Sequence, residues 1–335
     1  MLRRLLYSPF LAQLVVIRRC NLSCGYCNEF DDKSDPVPTD ELKRRIEKIR
    51  ALGSWAIELT GGEPMMHPDI ASLVAHAKAQ RFSKVMMITN AFLLNKEKVE
   101  ALNEAGLDDM QVSVDGVEPN DVTVKVLKPL RPKLEMLART AKFRVTLSGV
   151  IGSSNSQEVL EVVAFAKSHG FRPRVLLIHA GDGQLRLSEE QRALYKRVKE
   201  EIGGRYREAR DYRSRLLATG SAPYKCRAGS RYLYVDEFGV VRWCSQQMAH
   251  FGIPLADYST EDLERQFHTR KGCEAKCTIG CSRSCSAPDE WRSQKLTAAA
   301  PAADGATSAA AGQGPHVPHV PPEHLVQVRD RIARG

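Results

Sequence analysis

At 335 residues the chain can hold one large domain or two smaller ones with real cores, and no run reaches the roughly 18 to 20 apolar residues of a bilayer-spanning helix. Nine cysteines, three between Cys20 and Cys27 and six between Cys226 and Cys285, exclude a small disulfide scaffold and read as metal ligands in a reducing compartment. The charge of +9 excludes little, because residues 196–215 mix Arg197, Lys199, Arg205, Arg207, Arg210, Arg213 and Arg215 with Glu200, Glu201, Glu208 and Asp211, as an ion-paired helix face does.

The N-terminal Met1-Leu2-Arg3-Arg4-Leu5-Leu6 sets two arginines before an apolar stretch. A secretory or twin-arginine signal is not expected, since Arg18, Arg19 and the cysteines interrupt the apolar run and no small-residue cleavage site follows. A cytoplasmic chain without membrane partners is the expectation. A first strand over residues 14–17 leads into Cys20-Asn21-Leu22-Ser23-Cys24-Gly25-Tyr26-Cys27. This Cys-x3-Cys-x2-Cys run supplies three thiolates, whereas iron-sulfur cubanes and structural zinc sites normally take four protein ligands. One metal corner is left open, and an open position is where a metal site takes a substrate or cosubstrate. A zinc knuckle with a distant ligand, or unrelated buried thiols, are the alternatives.

Onward to about residue 180, short apolar runs alternate with amphipathic ones, the pattern of strand-helix units around a parallel sheet. Strands are expected at residues 14–17, 56–59, 84–88, 109–114, 142–147 and 174–178, and helices at 39–52, 70–80, 96–105 and 156–169. Thr39, Asp69, Asn95 and Ser156 stand near the helix starts as candidate N-caps. Six such units give an α/β fold, a partial barrel two units short of eight. In such barrels the site lies at the C-terminal strand ends. There the chain places the cysteine loop, then Thr60-Gly61-Gly62-Glu63-Pro64, Thr89-Asn90, Ser113 with Asp115, and residues 148–152. Paired glycines let backbone groups approach a ligand that side chains would block, though an ordinary strand-to-helix turn also favours Gly and Pro. Ser113 and Asp115, two apart, share a strand face.

The cysteine run, followed one strand-helix unit later by Gly61-Gly62-Glu63-Pro64, resembles the radical S-adenosylmethionine (SAM) superfamily. The resemblance covers residues 15–288 and implies a partial (β/α)6 barrel. It implies a [4Fe-4S] cluster on Cys20, Cys24 and Cys27 with SAM at the open iron. One electron would cleave SAM to methionine and a 5′-deoxyadenosyl radical that abstracts a substrate hydrogen. On the same resemblance Gly61, Gly62, Glu63 and Pro64 contact the SAM amino group, and Ser113 and Asp115 its ribose and carboxylate. Asn90 joins them, Tyr26 takes an aromatic position beside the cofactor, and residues 149–152 with Ile151 form the apolar shelf for adenine.

Residues 188–217 read as a charged helical pair, and 221–291 as a cysteine-rich module with short β-like runs at 232–235 and 240–243. Cys226, then Gly239 and Cys244, resembles the auxiliary-cluster hairpin of the SPASM and twitch branches of the superfamily. Cys273, Cys277, Cys281 and Cys285 follow at even spacing, which departs from that pattern, and Gly272 and Gly280 argue against one continuous helix through them. Six thiolates are two short of two full clusters. One auxiliary [4Fe-4S] cluster on Cys226, Cys244 and two of the last four is expected, with a second only on an open or non-cysteine ligand. Tetrahedral zinc is the alternative. The expected organisation is a barrel over residues 1–187, a helical linker over 188–220, the auxiliary domain over 221–292, and an Ala, Pro and Gly rich disordered tail over 293–335. That tail carries His316 and His319, with a short helix over 324–334.

The expected activity is that of a radical SAM enzyme modifying a peptide or protein, supplied with electrons by a flavodoxin or ferredoxin. Oxidation or rearrangement of a small molecule or carbohydrate is the alternative within the class. A noncatalytic iron-sulfur or zinc protein that binds nucleic acid through its positive charge is the alternative outside it. About a dozen residues precede the first strand, too few for the recognition domain of many peptide maturases, which weakens the peptide reading or calls for a separate recognition protein.

Overall fold

The computed structural model describes residues 2–153, 157–178, 185, 187–202 and 212–292. The Ser156 cap, residues 203–211 of the charged helical pair, and the tail with His316, His319 and its short helix lie outside the described residues.

A short helix α1 (Leu2–Tyr7) precedes β1 (Leu11–Ile17), whose residues after Leu11 are all buried. There follow α2 (Thr39–Ala51), β2 (Ala56–Gly61), α3 (Ile70–Ala79), β3 (Lys84–Thr89), α4 (Lys96–Ala105) and β4 (Asp109–Ser113). The series continues with α5 (Leu127–Thr140), β5 (Arg144–Ile151), α6 (Glu158–Ser168) and β6 (Arg172–Leu177). These six strands are parallel neighbours in the order β6-β5-β4-β3-β2-β1, with helices between them, and the sheet does not close. The fold is the expected α/β partial barrel. Its main core runs from Leu14 and Ile57 to the buried helix positions Ile46, Leu73, Val99 and Leu134.

Some expectations shift. Strand β1 begins three residues earlier than expected because Gln13 interrupts the apolar run, yet it is buried and bonded to Glu58 and Tyr232. Helix α5 was not among the expected helices. Pro132 lies inside it and removes a backbone donor, but Leu127, Leu130, Leu134 and Leu137 bury one face and hold it. Asn95 caps α4, accepting from the Lys98 amide at 2.9 Å. Thr39 and Asp69 do not cap by side chain; the Thr39 hydroxyl donates to Asp69 Oδ2 instead. Helix α6 starts at Glu158 without a side-chain cap.

After α7 (Glu189–Ile202) and α8 (Tyr212–Thr219), the cysteine-rich region opens with β7 (Tyr232–Val235), β8 (Val240–Arg242) and β9 (Ile253–Pro254). Strand β7 pairs in parallel with β1, so residues expected as a separate module extend the barrel sheet to nine strands. Helices α9 (Thr260–His268) and α10 (Gly280–Ser286) follow, α9 starting in a capping box of Ser259 and Asp262. A buried Arg231–Asp289 pair, Nε to Oδ2 2.6 Å, ties the approach to β7 to the turn after α10.

Candidate functional site

The loop after β1 is held by hydrogen bonds of its own and by β7. Cys20 N donates to Asp31 O and Asp31 N to Arg18 O, at 2.9 and 3.1 Å, closing the loop on itself. Arg18 reaches Glu237 Oε2 at 2.5 Å, and Tyr234 donates to Glu29 Oε2 at 2.9 Å. Cys20, Cys24 and Cys27 thereby line one cavity of about 70 Å³ at the C-terminal strand ends. Nucleotide-sized pockets run to several hundred Å³. At that size it does not enclose a whole nucleotide-sized ligand.

The thiols are prepared unevenly. Burial pushes Cys20 up to about 12 and Cys27 to about 11, and raises Cys24 as well. Hydrogen bonds oppose this: Leu22 N donates to Cys20 Sγ at 3.4 Å, Asn90 Nδ2 approaches it at 3.7 Å, and Thr123 Oγ1 stands 3.7 Å from Cys24 Sγ. Without a metal these sulfurs keep their protons, and ligation would release them.

The expected reason for Gly61 and Gly62 is revised by their surroundings. A Cβ on Gly61 would stand 2.0 Å from Ile17 O, and one on Gly62 2.2 Å from Arg18 O. The paired glycines let the turn press against the root of the cysteine loop, where Gly62 N donates to Ile17 O and Glu63 N to Arg19 O. Both also line the cavity. The Glu63 carboxylate, 1% exposed, accepts from Met65 N at 2.9 Å, Thr89 Oγ1 at 2.7 Å and Asn90 N at 2.7 Å. It braces the end of β3, which presents Asn90 to the cavity. Burial raises its proton affinity, against these three donors.

Ser113 lines the cavity, but Asp115 does not share that position with it. Strand β4 has ended, and Asp115, fully buried, accepts at Oδ2 from Tyr26 OH at 2.6 Å and Thr123 Oγ1 at 3.0 Å. Tyr26 is thus tied back to Asp115. Its phenol is raised well above the ordinary value by burial and by the carboxylate. Pro64 is buried in the short turn after β2. Ile151 is the last residue of β5 and fully buried among Val159, Val163 and Leu177, so it packs into the helix-side core and not toward the thiols. Ser148 Oγ, paired in register with Ser113, is buried with no hydrogen-bond partner among the described residues.

The sequence reading missed the charged residue of the cavity, besides the apolar Phe30 and Ile88. Lys125 lines the cavity beside the thiols, its Nζ 3.7 Å from Asp115 Oδ2 and 5.0 Å from the Tyr26 ring centre. Burial would lower its proton affinity, but the Asp115 carboxylate opposes that, and on balance it is raised. The alternation Thr123-Val124-Lys125-Val126 was the available signal. It puts Thr123 and Lys125 on one side, both now against Asp115.

The second cysteine group divides. Cys273 and Cys277 flank the turn Glu274–Lys276, whereas Cys281 and Cys285 lie on α10, so no continuous helix carries all four. Cys244 feels the charges of Cys277, Cys226 and Cys273; Cys273 those of Cys277 and Cys226; and Cys277 that of Cys226. Each of these four thiols is within electrostatic reach of the other three. Tyr224 OH donates to Cys277 Sγ at 3.2 Å, and Ala222 N to Ala275 O at 2.7 Å, which holds the segment before Cys226 to that turn. Cys285 shares the small buried core of Cys226 and Cys244, and feels Cys281 and Glu58. Cys281 approaches Gln13 Nε2 at 3.9 Å. Among the described residues no three Cys, His, Asp or Glu side chains meet at a point that would hold a single ion. A cluster, with a separate iron for each thiolate, asks for no such convergence.

Comparison with known proteins bears on the family and the fold. The model of the Radical SAM superfamily matches residues 14–190. A PqqA peptide cyclase of Bradyrhizobium diazoefficiens is 30% identical over 162 residues, 46% of this chain and 42% of the relative. A GTP 3',8-cyclase of Aquifex aeolicus is 29% identical over 170 residues, 47% of this chain and 53% of that one. The chain spans about half the length of the curated relatives it matches. Streptococcus suis SuiB, solved bound to the precursor peptide SuiA, superposes with a TM-score of 0.59 at 16% identity, over 78% of this chain and 65% of SuiB, a likeness of fold. No helix among the described residues is long and apolar enough to cross a membrane.

Proposed function

The chain belongs to the radical SAM superfamily, and from that premise we propose that it is an enzyme that cleaves SAM reductively at a [4Fe-4S] cluster on Cys20, Cys24 and Cys27. The observation that carries the proposal is the single cavity shared by the three thiols, Gly61, Gly62, Asn90 and Ser113. The residues fit the group. Three thiolates leave one iron for the cosubstrate, and Ser148 Oγ offers a buried polar atom still to be partnered. When bound, cluster and SAM supply the one-electron cleavage and the hydrogen abstraction.

The chain's own residues hold this site in register. Glu63 fixes the Thr89 and Asn90 backbone, Asn90 and Leu22 N hydrogen-bond the Cys20 sulfur, and Asp115 gathers Tyr26, Thr123 and Lys125 behind Cys24. Helix α10 and the second thiol group stand on the β1 and β7 side of the barrel, and Cys226, Cys244, Cys273 and Cys277 are the best ligand set for an auxiliary cluster. A low-potential donor of the flavodoxin or ferredoxin class would supply the electron.

A peptide or protein substrate is favoured by the peptide cyclase relatives and by the SuiB-like fold. A small molecule is the second reading, favoured by the GTP 3',8-cyclase relative.

The test is spectroscopic. Addition of SAM to the reduced, iron-loaded protein should change one electron paramagnetic resonance signal, and Cys24→Ala should remove that signal while the remaining iron stays. A signal indifferent to SAM refutes the reading.

A further inference from the structure

Lys125 is a buried cation with no place in the motifs that identify the family. Its side chain is 13% exposed, it shares the cavity with all three thiols, and its neighbours hold it in one place: Asp115 Oδ2 at 3.7 Å and the face of Tyr26 at 5.0 Å. The loop that carries it is fixed in turn. Asp115 N donates to Lys125 O at 2.6 Å, and Gly116 bridges to Val126. The anionic and ionisable groups around Lys125 are Asp115, Tyr26, Cys24 and, farther off, Cys27 and Glu63. Of these, Tyr26 stays a neutral phenol, and Glu63 is occupied by three donors.

We propose that Lys125 is a positioning residue for electron entry: its fixed ammonium, offset by Asp115, raises the reduction potential of the cluster held by Cys20, Cys24 and Cys27. The inference rests on the proposed ligation by those three residues. Reduction by one electron from a low-potential donor makes a three-thiolate cluster one charge more negative, with no bond made or broken. A cation alongside favours the more negative state, and an anion opposes it. Iron-sulfur potentials respond to nearby charge, hydrogen bonds to the sulfurs and exposure. Lys125 is largely buried, so its ammonium is screened less than an exposed one. The pair is oriented: Lys125 borders the cavity, and Asp115 stands behind it.

The two charges predict shifts of opposite sign, which a merely structural role would not give. Redox titration of the SAM-responsive signal in the iron-loaded full chain should find the midpoint lower in Lys125→Met, near wild type in Lys125→Arg, and higher in Asp115→Asn. Unchanged midpoints in Lys125→Met and Asp115→Asn at wild-type iron content, or shifts of the same sign in both, overturn the proposal. Should Lys125→Met fail to take up iron, Asp115→Asn decides alone: an upward shift supports the proposal and any other result overturns it. Absence of a SAM-responsive signal in the wild type would instead refute the ligation by Cys20, Cys24 and Cys27.

Discussion

Gly61→Ala offers a sharp test of how the cysteine loop is supported. Gly61 has a φ of +149°, and its missing Cβ would sit 2.0 Å from Ile17 O, a backbone atom of β1 that cannot swing aside. The backbone conformation costs an L-residue about 1–3 kcal/mol. Relieving the overlap adds about 1–3 kcal/mol, as for other overpacked interiors. A mid-range total of about 4 kcal/mol lowers the thermal midpoint by roughly 6 °C in a chain of this length. Two companions separate the causes. Gly62→Ala meets Arg18 O at 2.2 Å without a positive φ, and Gly170→Ala has a φ of +72° with nothing within 4 Å. Gly170→Ala should cost only about 1–2 kcal/mol. Melting the three variants beside wild type, without iron, gives the ranking. A Gly61→Ala midpoint no lower than that of Gly170→Ala would refute the close approach of the turn to β1. Iron uptake should fall in Gly61→Ala and Gly62→Ala and hold in Gly170→Ala.

The auxiliary ligand set predicts that Cys277→Ser loses about four iron atoms per chain on anaerobic reconstitution and Cys281→Ser does not; equal iron in both would contradict that ligand set. Asp289→Ala strands the buried Arg231 guanidinium and should cost about 3–5 kcal/mol in urea unfolding. Glu58 is raised above its ordinary 4.5 by burial, against its bond from Gln13. Stability from its neutral form is complete below that value and is lost as pH rises through the raised folded value. Glu58→Gln should therefore gain stability relative to wild type as pH goes from 4 toward 8, in urea melts across that range, and a constant difference would contradict the sign.

The parts of the fold readable in the sequence were those whose pattern is local. The cysteine loop and the turn at Gly61 stand out by residue type and spacing, and the strand-helix alternation carries the barrel. What escaped depends on distant partners. Gln13 reads as a break in a strand until Glu58 and Tyr232 satisfy it. Helix α5 hides behind Pro132 because its leucine stripe stabilises it only against the sheet. The joining of β7 to β1 spans more than two hundred residues, and no periodicity announces such a pairing. Lys125 belongs to the same class: a lysine in a loop looks solvated until Asp115, Tyr26 and Cys24 surround it. Ile151, expected after β5, is its last residue, because Gly149 continues the strand.

The central claim is that Cys20, Cys24 and Cys27 hold a cluster that cleaves SAM. Anaerobically reconstituted protein, given dithionite and SAM, should release 5′-deoxyadenosine, and Cys24→Ala should release none. Full iron loading with no 5′-deoxyadenosine from the wild-type chain, or equal amounts from wild type and Cys24→Ala, would contradict it.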